Sequence, residues 1–297
     1  MNRDIWTIVF NDDEELFLLK NQIQSLITFE NTLPYSIIIN EIDCTATREK
    51  MRSAEIFDLL ESAPFETNVY DAGQIVSYTE LHKSQSYINQ QILKLHAHKR
   101  SKCDEQVILD AKNVALSYRP IENFHPKRHI QQPNNFFGCY EHFVQRWYPG
   151  QKLIPIRPPS TPYLFKKEIL EALEADFYTR ENYIMHLQEF YHPRSKYFKK
   201  LDKRVNPRLK VQCISEFFIY NLFEQKYDSD YQELTGPPMH ILWLTNPLDD
   251  EKEPEAASFL SLHRKRVKNL GIKKAQLLID RKIKEGNKNE KGAKTLT

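Results

Sequence analysis

The first 110 residues alternate between short apolar runs and longer segments in which apolar side chains recur every three or four positions. The short runs cover residues 5–10, 35–40, 67–70 and 107–109. Helical periodicity marks the segments at 16–27, 48–60 and 84–98. Short strands that alternate with helices are typical of a parallel sheet with helices on both faces. This pattern predicts an α/β fold with a Rossmann-like, mostly parallel sheet.

Such sheets bind ligands at the carboxyl ends of their strands. The polar residues that follow each apolar run are therefore candidates for a binding site. They are Asn11, Asp12 and Asp13 after the first run, Asn40, Glu41 and Asp43 after the second, Asp71 after the third, and Asp110, Lys112 and Asn113 after the fourth. Asp12 and Asp13 have an alternative role as caps of the helix that begins there.

The second half of the chain is less regular. Residues 123–160 are rich in proline and aromatic residues, which suits either an acceptor-binding insertion or a packing segment over a sheet edge. Helices are predicted at 166–175, 179–190 and 217–226, the last capped by Ser215, and a strand at 239–244. We therefore expect one main domain over residues 1–260 and a tail over 261–297.

Composition narrows the class of protein. Four scattered cysteines without CxxC spacing predict free thiols, which fits a reducing cytoplasm. The N-terminus has no secretion-signal pattern, and no apolar stretch has the roughly 18 residues needed to span a bilayer. Only seven glycines occur, and they form neither GxGxxG nor GxxxxGK[ST], which disfavours nicotinamide, flavin and P-loop ATPase sites. The sequence thus predicts a cytoplasmic protein.

The tail is strongly basic. From Ser261 onward there are twelve Lys or Arg residues against three Asp or Glu residues. A helix through Leu270, Leu277 and Ile283 has its apolar residues on one broad face, so the tail could lie peripherally on anionic lipid at the inner face of a membrane. A frayed terminus is the alternative. The tail contains no aromatic residue that would stack on bases, so we expect no nucleic-acid partner.

Gln90, Gln91 and Lys94 form a group of polar residues on the helix predicted at 84–98, which precedes the strand that ends at Asp110. Gln90 and Lys94 are one turn apart and lie off the apolar stripe, so they could face the rim of the sheet together. A solvated helix face is the alternative interpretation.

Several short motifs, in order along the chain, resemble a family of uncharacterised bacterial proteins grouped with the GT-A glycosyltransferases. They are Gln90-Gln91-Ile92-Leu93-Lys94, Leu109-Asp110-Ala111-Lys112-Asn113, Pro159 to Phe165, and Ser215-Glu216-Phe217-Phe218-Ile219-Tyr220. The resemblance extends over about three quarters of the chain. It implies a GT-A fold and transfer of a sugar from a nucleotide-diphosphate donor to a glycan or lipid-linked acceptor in bacterial polysaccharide biosynthesis.

The resemblance also implies roles for single residues. Asn11, Asp12, Gln90, Gln91, Lys94, Lys112 and Asn113 would bind or support the donor, and Asp110 would act in catalysis and as a metal ligand. Glu216, at the start of a late helix, would be the base of an inverting transfer. Its alternative role is to stabilise the first turn of that helix.

The sequence departs from the family pattern at the metal site. Many GT-A enzymes have Asp-x-Asp here, whereas this chain has Asp110-Ala111-Lys112. A departing diphosphate needs a neutralising cation. Manganese or magnesium would need further ligands, such as Asp71 or His240, or else Lys112 or Lys94 would supply the charge. We favour the lysines, and the cofactor stays undetermined at this point.

Two other functions remain open from the sequence. A nucleotidyltransferase would use a similar phosphate pocket, although residues 11–15 lack the glycine- and arginine-rich loop that it would need. A non-catalytic protein with the same fold would explain the incomplete Asp-x-Asp.

Overall fold

The computed structural model describes residues 2–77, 86–122, 150, 161–180, 216–227, 241–244, 250 and 257–294. Its strands are β1 (Arg3–Val9), β2 (Tyr35–Ile39), β3 (Thr67–Asp71), β4 (Glu105–Leu109), β5 (Asn113–Ala115), β6 (Tyr163–Lys166), β7 (Ile241–Leu244) and β8 (Phe259–Leu262). Its helices are α1 (Asp13–Thr28), α2 (Thr45–Ser53), α3 (Ile56–Ser62), α4 (Ala72–Ile75), α5 (Ser86–His96), α6 (Lys167–Arg180), α7 (Glu216–Tyr227), α8 (Arg264–Leu270) and α9 (Ile272–Lys294).

The main sheet has the strand order β3-β2-β1-β4-β6. Strands β1 to β4 are parallel, and β6 pairs with β4 antiparallel at the edge. In β1 and β4 successive side chains enter opposite faces: Trp6 and Ile108 join one apolar cluster, and Val9 and Val107 join the other. The predicted α/β class with a mostly parallel sheet flanked by helices is confirmed.

Different helices cover the two faces of this sheet. One cluster contains side chains of α5, α6 and α7, and the other contains side chains of α1, α2, α3, α8 and α9. Near-continuous Val, Ile and Leu runs in β2 and β4 suit strands that are covered on both faces.

A second sheet was not predicted. It has the order β5-β8-β7, with β8 antiparallel to β5 and parallel to β7. Strands of three or four residues give almost no periodicity, so sequence reasoning missed β5 and β8. The sheet lies on the α1 side, where Val114, Leu244 and Leu260 enter the same cluster as α1.

Two predicted helices differ from the observed ones. The helix predicted at 48–60 is two helices, which are interrupted at Glu55 by left-handed backbone with φ of 60°. The helix predicted from Lys166 begins at Lys167, because residues up to Lys166 form β6. The helix predicted at 179–190 lies outside the described residues beyond Arg180, as do residues 123–149 and 151–160 of the proline-rich segment.

The basic tail is folded through Lys294, which contradicts the frayed alternative. Gly271, with φ of 77°, separates α8 from α9. Ala275, Leu278 and Ile279 of α9 are buried in the same cluster as α1. Asn21 of α1 and Gln276 of α9 exchange side-chain hydrogen bonds of 3.1 and 2.9 Å.

Among the described residues, no helix is both long enough and apolar enough to cross a membrane. Cys44 and Cys103 are buried free thiols, as predicted, and the other two cysteines lie outside the described part of the chain.

Candidate functional site

Four charged side chains form a continuous network at the carboxyl edge of β4. Lys112 Nζ lies 2.9 Å from Asp110 Oδ2, Lys94 Nζ lies 3.1 Å from Asp110 Oδ1, and Lys94 Nζ also lies 2.9 Å from Glu216 Oε1. We call these four residues the ion-pair network. It joins the end of β4, helix α5 and the first turn of α7, so it assembles residues that are far apart in sequence.

The network runs from the interior to the surface. Lys94 and Glu216 are 4% and 3% exposed. The side chains of Asp110 and Lys112 are 20% and 22% exposed. Buried charges are tolerated only when they are paired and hydrogen-bonded, which Lys94 achieves with two carboxylates and with the face of Phe217, 4.8 Å from its ammonium.

The network holds its members charged. Burial by itself raises the pKa of Asp110, but the Lys112 and Lys94 ammonium groups outweigh burial and hold this pKa well below its usual range. Burial by itself lowers the pKa of Lys94, but Asp110 and Glu216 outweigh burial and raise this pKa above its usual value. The result is a fixed array of alternating charges at the sheet edge.

Hydrogen bonds fix the turn after β4. The backbone N–H of Asn113 donates to the Asp110 carbonyl at 2.8 Å, and the Asn113 Oδ1 accepts from the Asp110 N–H at 2.8 Å. The Gln22 amide of α1 donates to the carbonyls of both Asp110 and Asn113. The N–H of Leu262 at the end of β8 donates to the Lys112 carbonyl. Lys112 therefore extends from a rigid backbone.

Both the oxygen and the nitrogen of the Asn113 side-chain amide make hydrogen bonds at this turn. It is fully buried, and its Nδ2 donates to the carbonyl of Thr161 at 3.1 Å. The structure thus places Asn113 beneath the site, where it positions Asp110 and Lys112.

Gln90 and Gln91 lie one helical turn before Lys94 and are buried, so the solvated-face alternative for this stretch of α5 is wrong. At i−4 and i−3 they lie on the same side of the helix as Lys94. Among the described residues, neither amide atom of Gln91 has a hydrogen-bond partner. Buried amides normally have partners, so Gln91 has bonding capacity to offer beside the network.

At the end of β1, Asn11 and Asp12 have different environments. Asp12 caps α1 by accepting from the Glu15 N–H at 3.0 Å, and its other oxygen lies 3.4 Å from Arg264 of α8. Asn11 Oδ1 is buried without a hydrogen-bond partner in the described part of the chain. Asp12 is therefore a cap with an ion pair, whereas Asn11 keeps a free acceptor.

Sequence reasoning missed Glu15. Burial and, to a smaller extent, the nearby Asp110 charge raise its pKa to about 7. Arg264 and Lys112 act in the opposite direction. Asp12-x-x-Glu15 is also the sequence pattern of a helix start. In the sequence Glu15 is therefore explained as a helix-capping residue, and its proximity to the network is not visible. Arg264 and His263 could not be assigned to the site either, because nothing in the tail sequence shows that β8 ends beside Lys112.

Asp71 does not reach the network. It lies at the end of β3, three strand positions from β4, and its carboxylate receives two hydrogen bonds from Arg48, at 3.0 and 2.7 Å. With strands about 4.8 Å apart, the two strand ends are separated by roughly 14 Å. The earlier suggestion of Asp71 as a second metal ligand is therefore wrong, and His240 lies outside the described residues.

No protein-family model and no curated protein sequence matches the chain. Its fold is similar to that of the solved galactosyltransferase LgtC, crystallised with donor and acceptor sugar analogues, with a TM-score of 0.40 and 10% identity over 93% of this chain and 95% of that one. It is also similar to the glycosyltransferase GlyE of Streptococcus pneumoniae TIGR4, with a TM-score of 0.37 and 9% identity over 79% of this chain and 45% of that one.

Proposed function

We propose that the chain is a GT-A-type glycosyltransferase that moves a sugar from a nucleotide-diphosphate donor to a glycan acceptor. The observation that carries the proposal is Lys112, a partly exposed ammonium anchored by Asp110 at the carboxyl edge of a parallel sheet. This edge is where α/β sheets bind their ligands, and an ammonium there suits a phosphate group.

Sugar transfer from such a donor develops negative charge on the departing diphosphate. The bond between the anomeric carbon and the diphosphate oxygen breaks, and its electron pair leaves with the diphosphate. The acceptor oxygen forms the new bond to the anomeric carbon and gives its proton to a base. Positive groups that are already in place stabilise the leaving anion without a reorganisation cost. Lys112 has three N–H donors and uses one of them on Asp110, so two remain for phosphate oxygens.

Glu216 is the proposed base, in an inverting transfer. The Glu216 carboxylate is buried and paired with Lys94, which limits how an acceptor can reach it. An acceptor hydroxyl must therefore approach the free oxygen of Glu216. Glu216→Gln should retain donor binding and lose transfer. A Gln variant that loses donor binding as well would show that Glu216 only positions Lys94.

The products of donor breakdown separate this function from the two alternatives. A glycosyltransferase incubated with a nucleotide sugar and no acceptor slowly releases nucleoside diphosphate. A nucleotidyltransferase given a nucleoside triphosphate and a sugar phosphate releases pyrophosphate, and a non-catalytic protein releases neither. Screening UDP-, GDP- and ADP-sugars by thermal shift identifies the donor, because a ligand that binds only the folded state raises Tm.

We further propose a cytoplasmic protein that contacts the inner face of the membrane through α9, where a lipid-linked acceptor would lie. Lys273, Lys274, Lys284 and Lys288 surround Leu277, which is 70% exposed, on the side of α9 opposite its buried face. Among the described residues none of these lysines pairs with an acid. Cations around an apolar side chain complement an anionic lipid surface.

Vesicle sedimentation tests the membrane contact. Vesicles with phosphatidylglycerol should bind the protein at low salt, and vesicles of phosphatidylcholine alone should not. Reversing the charge of Lys274 and Lys284 should abolish binding, whereas reversing Lys20 and Lys50, two lysines on other elements, should not. Equal binding to both vesicle types would contradict the electrostatic account.

A further inference from the structure

The residues at the sheet edge do not fit the divalent metal that a GT-A fold implies. Mg²⁺ and Mn²⁺ bind oxygen ligands, and at a phosphate site they need at least one carboxylate that is available to the metal. In the described part of the chain, no group of three or more His, Cys, Asp or Glu side chains is arranged to hold a metal. Asp110 is the acid at the required place, and each of its oxygens already faces an ammonium.

Electrostatic repulsion is a second reason why a divalent metal does not fit this site. A divalent cation bound to Asp110 would lie a few ångströms from both Lys94 and Lys112. At such distances like charges repel by several kcal/mol even at an effective dielectric constant of about 20. A cation held by Glu216 as a second ligand would likewise lie close to the Lys94 ammonium, which is 2.9 Å from Glu216 Oε1.

We propose that Lys112 takes the place of the metal, so that this site binds the donor diphosphate without a divalent cation. The inference rests on the proposed function and names how its phosphate pocket is charged. Lys112 occupies the position of the second carboxylate of Asp-x-Asp. A positively charged side chain therefore stands where many GT-A enzymes have a negatively charged metal ligand. The metal's charge is thereby replaced by a side chain on a rigid turn.

The four residues of the network have distinct tasks in this arrangement. Asp110 holds the Lys112 ammonium at the rim, and Lys94 fixes Asp110 from the interior side. Since the network contains two cations and two carboxylates, its own charges balance, and it needs no bound ion to be stable. An incoming diphosphate would place its negative charge beside Lys112, at the exposed end of the network.

The test compares binding of UDP, GDP and ADP by titration calorimetry in EDTA and in manganese chloride. The wild-type protein should bind one of them in EDTA, with an affinity within about twofold of that in manganese. Lys112→Ala should weaken binding in EDTA by about tenfold or more, as expected for a lost charge-assisted hydrogen bond. Lys20→Ala is the control, because Lys20 has similar exposure and also pairs with a single carboxylate, Glu55.

Two further variants keep the test decisive if the alanine variant is unstable. Lys112→Arg should retain binding in EDTA, since it keeps the positive charge. Lys112→Asp should lose binding in EDTA and recover it with manganese, because it restores Asp-x-Asp. Wild-type binding that requires manganese would overturn the inference and leave the glycosyltransferase proposal intact. Failure of all three diphosphates to bind in either condition would overturn both.

Discussion

At the scale of single residues, Lys94 has the strongest effect on the site. Two carboxylates from different elements share its ammonium in the protein interior. Removing one partner of a buried ion pair costs more than never having built the pair, because a charge is left without compensation. The stability of the fold and the geometry of the site therefore depend on the same residue.

Lys94→Met should lower the free energy of unfolding by about 3–5 kcal/mol at pH 7. Asp110, whose pKa is depressed in the folded state, contributes stability above its ordinary value of 3.8 and loses it as the pH falls. Without Lys94 that contribution shrinks, so the difference between variant and wild type should decrease toward acidic pH. Urea unfolding at several pH values measures it.

Lys99→Met is the matched control, since Lys99 pairs with Glu174 at 2.7 Å but is one third exposed. Exposed pairs contribute about 0–1 kcal/mol, so this variant should be nearly silent. A Lys94 variant as stable as the Lys99 variant would contradict the role given to the network.

Glu15 should make the proposed affinity for a diphosphate depend on pH. Its pKa of about 7 means that it is neutral below pH 7 and negative above, beside Lys112 and Asp110. Anion binding should therefore weaken as the pH rises through about 7, by about three- to tenfold for one added charge nearby. Burial lowers the pKa of the neighbouring His263 below its ordinary value, so His263 titrates at lower pH.

Calorimetry of UDP, GDP and ADP at pH 6 and pH 8 measures this dependence. Glu15→Gln should bind the preferred diphosphate at pH 8 about as well as wild type does at pH 6. If the variant shows the same pH slope as wild type, another group is responsible.

At the scale of elements, helices α7 and α9 are positioned by different contacts. Helix α7 is held by aromatic packing: Phe217 and Tyr220 contact Tyr163 and Phe165 of β6. The Tyr220 hydroxyl also accepts the Lys166 N–H at 2.8 Å. This packing brings Glu216, the first residue of α7, to Lys94.

Helix α9 is held by a close backbone approach. A Cβ on Gly286 would lie 2.4 Å from the carbonyl oxygen of Leu116, just after β5. Gly→Ala within a helix is ordinarily stabilising by about 0.5–1 kcal/mol. Here the clash should dominate, and Gly286→Ala should destabilise the protein by about 1–3 kcal/mol in urea unfolding.

Asn287→Ala is the control for this prediction, because it makes a similar change in helix propensity one position away. It should leave stability unchanged or slightly higher. If Gly286→Ala were at least as stable as Asn287→Ala, α9 would not be packed on Leu116 as described.

At the scale of the whole molecule, the sequence predicts the four parallel strands of the main sheet, but neither its edge strand β6 nor the way the elements pack together. Strands β1 and β2 and helix α1 were predictable because their apolar patterns are local and long enough to show a period. The second sheet was not, since β5 and β8 are short and pair across a large sequence distance. The same limit applies to the site: Asp110 and Lys112 follow a visible strand, whereas the pairing of Lys94 with Glu216 depends on how α5 and α7 pack.

The location of the basic tail relative to the site is visible only in the folded molecule. The basic tail is a distinct segment in sequence, yet β8 begins before it and α9 packs on α1. As a result, Arg264 reaches Asp12 at the site while the lysines around Leu277 face outward. One segment thus contributes to both the proposed phosphate site and the proposed lipid-facing surface.

The most direct test of the central claim is a crystal structure with the preferred nucleoside diphosphate among UDP, GDP and ADP, grown in EDTA. The account predicts that a diphosphate oxygen lies within hydrogen-bond distance of Lys112 Nζ, at the carboxyl edge of β1 and β4, while Asp110 remains paired with Lys94. A diphosphate bound elsewhere, or Lys112 and Asp110 covered by packed side chains with no space beside them, would contradict it.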